Sequence, residues 1–425
     1  MTVLGVTVRM LDSVPDVLQL EMTTDTHIQR AHAGPALRAL GSATSTRLRI
    51  LHVVSCLGLG GTEHGVLKVI NGLGDQEFEH RVCAVRGIDK AFARTNVASR
   101  TYSAGTGKPG LQFPLFRLIR IIKEFRPHVV HTRNFGAIEA IPAARLARTP
   151  VTIHSEHGYE LDILSGIPVR RRVLCRILYS MADVVFTVTK DLQTFYGTQS
   201  WLGAEKLRTL YNGVDTVRFR PQPQMRELWR ARLGIPAGRF VIGSVGRLVP
   251  IKDHLTLLKA AEGLVRTGLD VQVLLVGSGP EREGLEAYSA KSALLGGRVL
   301  FTGASDNVPE MLNAMDAYVL PSICEGMSNT ILEAMASALP VIATRAGGNP
   351  ELVKEGETGW LFQPRDVEAL SSFVQQIVKD RALRKRVGEA GYRRVVEQFS
   401  ISQMIERYRE LYQGLARRRG VLQAV

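Results

Sequence analysis

Short apolar runs rich in β-branched residues alternate with helical stretches along this chain of 425 residues. In the first half, strands are predicted at Ile50–Ser55, His80–Val85, Val129–His131, Val151–His154 and Val184–Thr189. Helices are predicted between them at Gly65–Gly72 and Pro114–Phe125. Repeated strand–helix–strand units of this kind build a parallel sheet that helices cover on both faces.

The alternation starts again after Arg218–Gln224, a segment rich in Pro and Arg that we interpret as a linker. Strands of the second half are predicted at Phe240–Val245, Val271–Val276, Val299–Thr302, Ala317–Leu320, Pro340–Ala343 and Gly359–Phe362, with a helix at His254–Arg266. The sequence therefore predicts an α/β protein with two Rossmann-like, doubly wound parallel-sheet domains that face a central cleft. Ligands of such sheets bind outside the carboxyl ends of the strands.

These patterns divide the chain into four segments. Residues 1–46 show no sustained period, and we expect a flexible extension or a misplaced start codon there. Residues 47–222 and 223–399 are predicted to be the two domains. Residues 400–425 hold a last helix, Ser400–Gly414, which is predicted to pack back on the first domain.

The chain is basic, with a formal net charge of +14. Most of the excess lies in residues 47–222, which contain 25 Lys and Arg against 14 Asp and Glu. A basic surface suits an anionic partner such as a nucleotide or a phospholipid surface, and it equally suits plain solubility. Aromatic residues make up 6%, which argues against a stacking surface for single-stranded nucleic acid, so no nucleic-acid partner is expected.

The four cysteines, Cys56, Cys83, Cys175 and Cys324, stand alone, which argues against a disulfide framework or a cysteine metal site. A reducing compartment fits this usage. The sequence has neither a long uninterrupted apolar run nor a clear signal peptide. We therefore expect a cytoplasmic protein, and we consider peripheral attachment to the inner face of the membrane below.

A glycine-rich segment, Gly58–Glu63, follows the first predicted strand directly. Glycines such as Gly60 and Gly61 let the backbone approach an anion, and the helix that follows offers free N–H groups to phosphate. The alternative is an ordinary tight turn between strand and helix. The spacing differs from the dinucleotide fingerprint, so no nicotinamide cofactor is predicted.

The first predicted strand of the second half ends just before Gly246 and Arg247, and Lys252 follows five residues after Arg247. Two fixed cations at this edge suit a diphosphate, because Arg offers a planar fork and Lys a point charge. Taken alone, such a loop is more often merely solvated.

Two carboxylates stand eight residues apart after the strand Ala317–Leu320. Glu325 lies in a loop, and Glu333 lies in a helix among apolar neighbours, where a buried carboxylate needs hydroxyl or amide donors. Sugar and ribose hydroxyls are such donors. The intervening residues bring backbone amides to the start of that helix, where phosphate binds well: Gly326, Met327, Ser328, Asn329 and Thr330. In the first half, His157 and Gly158 follow a strand end, although a lone histidine is more often structural.

An ordered set of short motifs runs through both halves. It comprises Gly60–Glu63, His157–Gly158, Asn212–Asp215, Gly246–Leu248 with Lys252, Val276–Pro280, Pro321–Ser322, Glu325 with Glu333, and Gly347–Glu351. Together these motifs resemble glycosyltransferase family 4, from about Arg49 to Gly414. His131–Asn134 and His154–Gly158 further resemble sugar transferases of bacterial exopolysaccharide clusters. Ser278 departs from the family pattern, which often has Asp there.

The resemblance implies a GT-B fold, a nucleoside-diphosphate-sugar donor bound mainly by the second domain, an acceptor on the first, and retention of anomeric configuration. Arg247 and Lys252 are then implied to bind the diphosphate, Glu325 the hydroxyls of the donor sugar, and Glu333 the ribose hydroxyls. Gly60 and Gly61 are implied to border the phosphates, and His157 to lie near the reacting face of the sugar. No metal or other cofactor is expected.

Three functions remain open at this point. The first is a hexosyltransferase acting on a glycan or lipid-linked acceptor, in cell-surface or exopolysaccharide synthesis. The others are a nucleotide-sugar 2-epimerase of the same fold and a non-catalytic nucleotide-sugar-binding module. The basic run Val169–Leu178 predicts either a helix that binds anionic lipid or an ordinary amphipathic helix with its apolar side against the sheet.

Overall fold

Most strands of the first domain are buried. A computed structural model describes residues 47–58, 61–88, 100–105, 114–159, 166–200, 202 and 206–422, with the backbone alone at Thr62. The predicted extension at residues 1–46 lies outside these ranges. The strands are β1 (Leu48–Leu57), β2 (Phe78–Ile88), β3 (Thr101–Ser103), β4 (Val129–Arg133), β5 (Val151–Glu156), β6 (Val184–Thr187) and β7 (Leu207–Thr209).

The helices of the first domain lie between these strands. They are α1 (Gly61–Leu73), α2 (Leu115–Phe125), α3 (Ala140–Leu146), α4 (Val169–Met181) and α5 (Lys190–Ser200). All strand pairs are parallel, and the spatial order is β3-β2-β1-β4-β5-β6-β7. The strand order reverses direction between β1 and β4, which is where such sheets leave a crevice for ligands.

The second domain repeats this arrangement. Its strands are β8 (Phe240–Val245), β9 (Val271–Val276), β10 (Val299–Gly303), β11 (Ala317–Leu320), β12 (Val341–Thr344) and β13 (Gly359–Phe362). Its helices are α6 (Pro223–Arg232), α7 (His254–Arg266), α8 (Arg282–Lys291), α9 (Val308–Ala314), α10 (Asn329–Ala336), α11 (Asn349–Leu352), α12 (Val367–Lys379) and α13 (Arg381–Gln398). The sheet is parallel in the order β10-β9-β8-β11-β12-β13, with its reversal between β8 and β11. The predicted fold class is confirmed.

The predicted bounds of strands and helices are more accurate in the second half of the sequence than in the first. Strands β8, β9, β11 and β13 and helix α7 have the predicted bounds residue for residue. The first helix begins at Gly61 rather than Gly65, so the predicted glycine-rich turn is shorter than expected.

The last helix, α14 (Ile401–Arg418), continues past Gly414 and packs on the first sheet. Its side chains Tyr408 and Tyr412 join the apolar cluster that contains Ile50 and Phe186. A Cβ on Gly72 of α1 would lie 2.4 Å from Cγ1 of Ile405, so α1 and α14 approach closely where α1 has no side chain. The carboxyl-terminal helix is thus part of the core of the first domain.

The chain passes between the domains twice, and the two passages lie side by side. Val214 donates its N–H to the Phe399 carbonyl at 2.9 Å and accepts from the Ile401 N–H at 2.8 Å. By contrast, the predicted linker Arg218–Gln224 is bound to the second domain, because Asn313 bonds both the Arg220 carbonyl and the Gln222 N–H. The two passages are therefore paired at Val214 and Ser400, and Val214 precedes the predicted linker in sequence.

One glycine of α13 lets that helix lie directly on the turn after α10. A Cβ on Gly388 would lie 2.1 Å from the carbonyl oxygen of Ala338, whose own φ is +56°. Gly414 of α14 has nothing within 4 Å of the corresponding position.

We predict opposite effects of the same substitution at these two glycines. Gly388→Ala should lower the free energy of unfolding by roughly 1–3 kcal/mol, because α13 must move off the turn. Gly414→Ala should raise it by about 0.5–1 kcal/mol, because alanine favours a helix interior. Thermal melting of both variants against the wild type measures this; a Gly388→Ala protein as stable as Gly414→Ala contradicts the packing described here.

Candidate functional site

The two domains touch through their backbones where the loop after β5 meets the loop after β11. A Cβ on Gly326 would lie 2.5 Å from the carbonyl oxygen of His157 and 2.8 Å from Cα of Gly158. Real Cβ atoms do not approach other atoms so closely, so this contact requires glycine at position 326. The predicted site residues His157 and Gly326 are therefore neighbours across the cleft.

Lys252 and Glu325 are also brought together. The loops that carry them are joined by a hydrogen bond from the Ile323 N–H to the Ile251 carbonyl at 2.8 Å. The Lys252 Nζ donates to Glu325 Oε1 at 2.5 Å, and the two side chains are 22% and 10% exposed. A cation and a carboxylate thus stand as a pair at the carboxyl edge of the second sheet.

Glu333 lies on α10 in surroundings that disfavour its ionised form. Burial raises its pKa to about 7, while the positive charges of Lys68 and Arg218 act in the opposite direction. Burial likewise lowers the pKa of Lys68, whose Nζ donates to the Gly213 carbonyl at 3.0 Å. Lys68 belongs to α1 of the first domain, so the surroundings of Glu333 are shared between domains. The sequence reasoning missed Lys68, because a lysine inside an amphipathic helix carries no distinguishing pattern.

The start of α10 is fixed by its own hydroxyl side chains. Ser328 is the N-cap and accepts from the Ile331 N–H at 3.3 Å, and Thr330 Oγ1 accepts from the Tyr318 hydroxyl at 2.6 Å. These two side chains are therefore engaged within the second domain. The first N–H groups of any helix have no acceptor inside it, and here those of Asn329 and Thr330 stand at this position.

Met327 and Asn329 face the first domain. Met327 is buried, and its sulfur accepts from the Asn212 N–H at 3.0 Å. A Cβ on Gly61 would lie 3.9 Å from Nδ2 of Asn329, so the start of α1 stands opposite the start of α10. Gly60 lies outside the described residues.

Arg247 follows β8 on a loop that glycines hold close to its neighbour. Gly246 has a φ of +156°, and a Cβ on Gly277 would lie 1.8 Å from the Gly246 carbonyl oxygen. Arg247 itself is exposed, and its guanidinium has no hydrogen-bond partner within the described ranges. The structure does not pair it with Lys252, which bonds Glu325 instead.

His157 is held by polar groups of the first domain. Its N–H donates to Asn134 Oδ1 at 2.9 Å, and its ring Nε2 lies 2.9 Å from Ser155 Oγ. Burial lowers its pKa to about 3, and the Arg133 charge adds to this effect. The imidazole is therefore neutral at physiological pH.

A carboxylate of the second domain binds the start of a helix of the first. Glu351 accepts the N–H groups of Lys190 and Asp191 at 2.9 and 2.8 Å, and the Tyr211 hydroxyl at 2.8 Å. A negative charge at the amino end of α5 is favourable because the helix dipole is positive there. The sequence reasoning quoted Gly347–Glu351 as a motif but assigned Glu351 no role.

Within the part of the chain that the structure describes, no three His, Cys, Asp or Glu side chains are grouped as metal ligands would be. The cations and carboxylates of the site instead stand singly or in pairs.

Comparison with known proteins places the chain in a family. A model described as Glycosyltransferase Family 4 matches residues 59–218, and one described as Glycosyl transferases group 1 matches residues 225–394. The chain is 30% identical over 310 residues to the putative glycosyltransferase EpsF of Bacillus subtilis, covering 70% of this chain and 79% of that protein. This chain belongs to glycosyltransferase family 4.

Other relatives of this family 4 glycosyltransferase are named for particular reactions. A GDP-mannose-dependent α-(1-6)-phosphatidylinositol monomannoside mannosyltransferase of Mycobacterium tuberculosis is 33% identical over 296 residues, which covers 67% of this chain and 75% of that protein. A UDP-Gal:α-D-GlcNAc-diphosphoundecaprenol α-1,3-galactosyltransferase of Escherichia coli is 25% identical over 388 residues, covering 87% and 98%.

Solved structures share the fold of the transferase. HepE of Anabaena, crystallised with UDP, superposes with a TM-score of 0.74 at 22% identity and covers 86% of this chain and 100% of its own. Sucrose-phosphate synthase of Thermosynechococcus elongatus gives a TM-score of 0.73 at 22% identity, covering 87% and 99%. The arrangement of two parallel-sheet domains is therefore that of GT-B glycosyltransferases.

We predict that Glu351 holds the two domains of the transferase together. Glu351→Gln replaces one acceptor oxygen by an NH₂ group opposite backbone N–H donors, and loss of such charge-assisted bonds costs about 1.5–3 kcal/mol. The domains should then separate more readily, so the radius of gyration of the ligand-free protein should rise. Small-angle scattering measures this, with Glu355→Gln as the control, because Glu355 pairs with Arg345 inside the second domain. Identical scattering from all three proteins contradicts the role given to Glu351.

Proposed function

We propose that this glycosyltransferase moves a hexose from a nucleoside-diphosphate sugar to a hydroxyl of a glycan or lipid-linked acceptor, with retention of configuration. The observation that carries the proposal is Glu333, a half-buried carboxyl group that faces Lys68 of the first domain and whose pKa is raised to about 7. A carboxylate in such surroundings needs hydrogen-bond donors. The ribose hydroxyls of a nucleotide supply two donors side by side.

The remaining site residues fit the rest of a donor of this kind. Arg247 is an exposed cation at the end of β8, which suits an oxygen of the diphosphate. Lys252 has three donors and uses one on Glu325, so it can bind a phosphate oxygen while it stays paired. Glu325 has a second oxygen that can accept a sugar hydroxyl. The amides of Asn329 and Thr330, with Gly61 opposite, add the positive end of a helix dipole.

Catalysis is then electrostatic. As the bond from sugar to diphosphate breaks, negative charge grows on the leaving phosphate, and preorganised cations stabilise that charge. Arg247 and Lys252 are the groups to which we assign this role. We propose that no metal ion is required, so that activity survives a chelator.

A product assay tests the proposed function. The purified protein is first screened by thermal shift against UDP- and GDP-linked hexoses, where a ligand at 100 times its dissociation constant adds about 2.7 kcal/mol of stability. The donor that binds is then incubated with candidate acceptors. Free nucleoside diphosphate together with an α-linked product supports the proposal. A new isomer of the nucleotide sugar identifies an epimerase, and binding without turnover identifies a non-catalytic module; either result overturns it.

Glu333 gives nucleotide binding a defined pH dependence. Ribose hydroxyls donate to the ionised carboxylate, whose pKa is about 7 in the free protein. The ionised fraction, and with it the affinity, should therefore rise by about tenfold between pH 6 and pH 8. Glu333→Gln is the matched control, because glutamine does not ionise. Any pH dependence that remains in this variant comes from the nucleotide itself. Calorimetry with UDP and GDP measures both proteins; an equal pH dependence in the two contradicts the ribose role of Glu333.

The membrane association considered for Val169–Leu178 receives support from the exposed face of α4. Val169, Val173, Leu174 and Ile177 are 66%, 46%, 42% and 54% exposed, although Cys175 and Tyr179 of the same helix are buried in the core. The helix therefore packs through one apolar side and leaves a second set of apolar side chains exposed. Arg170 and Arg176 are exposed beside them.

The neighbouring helices α2 and α3 also expose apolar side chains. Helices α2 and α3 expose Phe116 and Leu146 at 83% and 61%. None of the helices within the described ranges is long and apolar enough to cross a bilayer. We propose that this face rests on an anionic membrane surface, which brings a lipid-linked acceptor to the first domain.

Flotation with vesicles tests this membrane contact. The protein should float with phosphatidylglycerol-containing vesicles at low salt and not with neutral phosphatidylcholine vesicles. Each cation near such a surface contributes about 1 kcal/mol, so Arg170→Ser with Arg176→Ser should weaken binding about thirtyfold. Leu228→Ser is the control, because Leu228 is 58% exposed on α6 of the second domain. Absence of binding to anionic vesicles, or self-association through α4 instead, contradicts the proposal.

A further inference from the structure

A continuous chain of buried polar groups leads from the carboxyl-terminal helix to the cleft. The Tyr412 hydroxyl of α14 lies 2.7 Å from Nδ1 of His131 on β4. The Nε2 of His131 lies 2.9 Å from Ser155 Oγ on β5, and Ser155 Oγ lies 2.9 Å from Nε2 of His157. Tyr412, His131 and Ser155 are fully buried, whereas His157 is partly exposed. No water is needed to connect them, because each group is within hydrogen-bond distance of the next.

The direction of this hydrogen-bond chain is set by the Tyr412 hydroxyl at its buried end. Among the described residues, that hydroxyl is within hydrogen-bond distance of Nδ1 of His131. A buried O–H group is rarely left without an acceptor, so the Tyr412 proton points to Nδ1 of His131. His131 must then carry its proton on Nε2.

The remaining steps follow from counting protons. His131 Nε2–H donates to Ser155 Oγ, which has one proton left to give. The nearer acceptor for that proton is Nε2 of His157 at 2.9 Å, since the Thr132 carbonyl lies at 3.5 Å. A neutral imidazole that accepts at Nε2 carries its proton on Nδ1. No partner of Nδ1 of His157 lies among the described residues, and this is the N–H that we assign to a ligand.

Arg133 fixes the proton positions in a second, shorter series of hydrogen bonds, which runs through His52 to His80. Arg133 donates to Nδ1 of His52 at 3.1 Å, and Nε2 of His52 lies 3.0 Å from Nδ1 of His80. Burial and the Arg133 charge lower the pKa of His52, His80 and His131, so all of these rings are neutral. One buried arginine thus orients the protons of His52 and His80.

We infer that Tyr412, His131 and Ser155 are positioning residues, which hold His157 as a neutral Nδ1–H imidazole that donates a hydrogen bond into the cleft. His157 then serves as a donor to an oxygen of the bound substrate and not as a base. Helix α14 takes part in the site through this series of hydrogen bonds, although Tyr412 lies 281 residues from His131 in sequence. The effect on turnover rests on the proposed transferase function, while the proton positions do not.

Nuclear magnetic resonance of the full-length protein tests the inference. Nitrogen-15 labelling of the ten histidines and a two-bond proton–nitrogen correlation distinguish the two neutral forms of each ring. Signals are assigned by their loss in His157→Asn and His131→Gln. We expect His157 with its proton on Nδ1 and His131 with its proton on Nε2.

Removal of single hydroxyls tests the coupling. Tyr412→Phe and Ser155→Ala should each shift the proton of His157 towards a mixture of both forms. Turnover should fall about tenfold or more, as when an orienting hydrogen bond is lost at other sites, while affinity for UDP or GDP changes less than twofold. Tyr288→Phe is the control for loss of a tyrosine hydroxyl, because the Tyr288 hydroxyl donates to Glu262 within the second domain.

The readouts separate the possible failures. His157 with its proton on Nε2 in the wild type overturns the inference, as does an unchanged His157 spectrum in both Ser155→Ala and Tyr412→Phe. If one of these two variants does not fold, the other decides. A protein with the expected proton positions and no transferase activity refutes the proposed function and leaves the inference standing.

Discussion

The contact of Gly326 with the His157–Gly158 backbone sets the spacing of the whole site. Because no side chain fits between these segments, the carboxyl edges of the two sheets approach as closely as backbones allow. His157 then stands on one side of the cleft, and Glu325 and the start of α10 stand on the other. The same closeness occurs at Gly348, where a Cβ would lie 2.5 Å from Cγ2 of Thr189. Glycines of the second domain therefore determine how the first domain can dock.

The charged groups at the cleft indicate which kind of ligand it suits. Lys252 pairs with Glu325, and Glu351 binds the start of α5, so these groups have partners. By contrast, Arg247 is exposed, and burial raises the pKa of Glu333 to about 7. A ligand with both negative charge and hydroxyl donors satisfies these last two groups at once. A nucleoside diphosphate has this combination, which is why the transferase activity of the family and the local chemistry of this chain agree.

Much of the fold could be predicted because buried parallel strands leave a strong local pattern. Strands β8, β9 and β11 are buried at nearly every position and were placed with their observed bounds. The start of α1 was predicted four residues late, because Gly61 and Gly65 suggest a loop although both lie in the helix. Composition predicts a linker at Arg218–Gln224, and no local pattern reveals the pairing of Val214 with Ser400 beside it.

The candidate site was predictable only where its residues follow strands in recognisable motifs, as with Arg247, Lys252, Glu325 and Glu333. Lys68 and Tyr412 were missed because their partners are brought to them by tertiary packing alone. His131 and Ser155 were quoted within motifs, yet their connection to His157 depends on the parallel register of β4 and β5. Sequence patterns identify side chains near the end of a strand. They do not identify the buried side chains that orient those side chains through hydrogen bonds.

A crystal structure with a bound nucleoside diphosphate shows whether the donor binds in the cleft between the two domains. We expect a ribose with its hydroxyls on Glu333, a diphosphate within hydrogen-bond distance of Arg247 and Lys252, and Gly61 facing the phosphates from the first domain. A nucleotide bound away from Glu333, or held entirely by one domain with the cleft empty, would contradict this expectation.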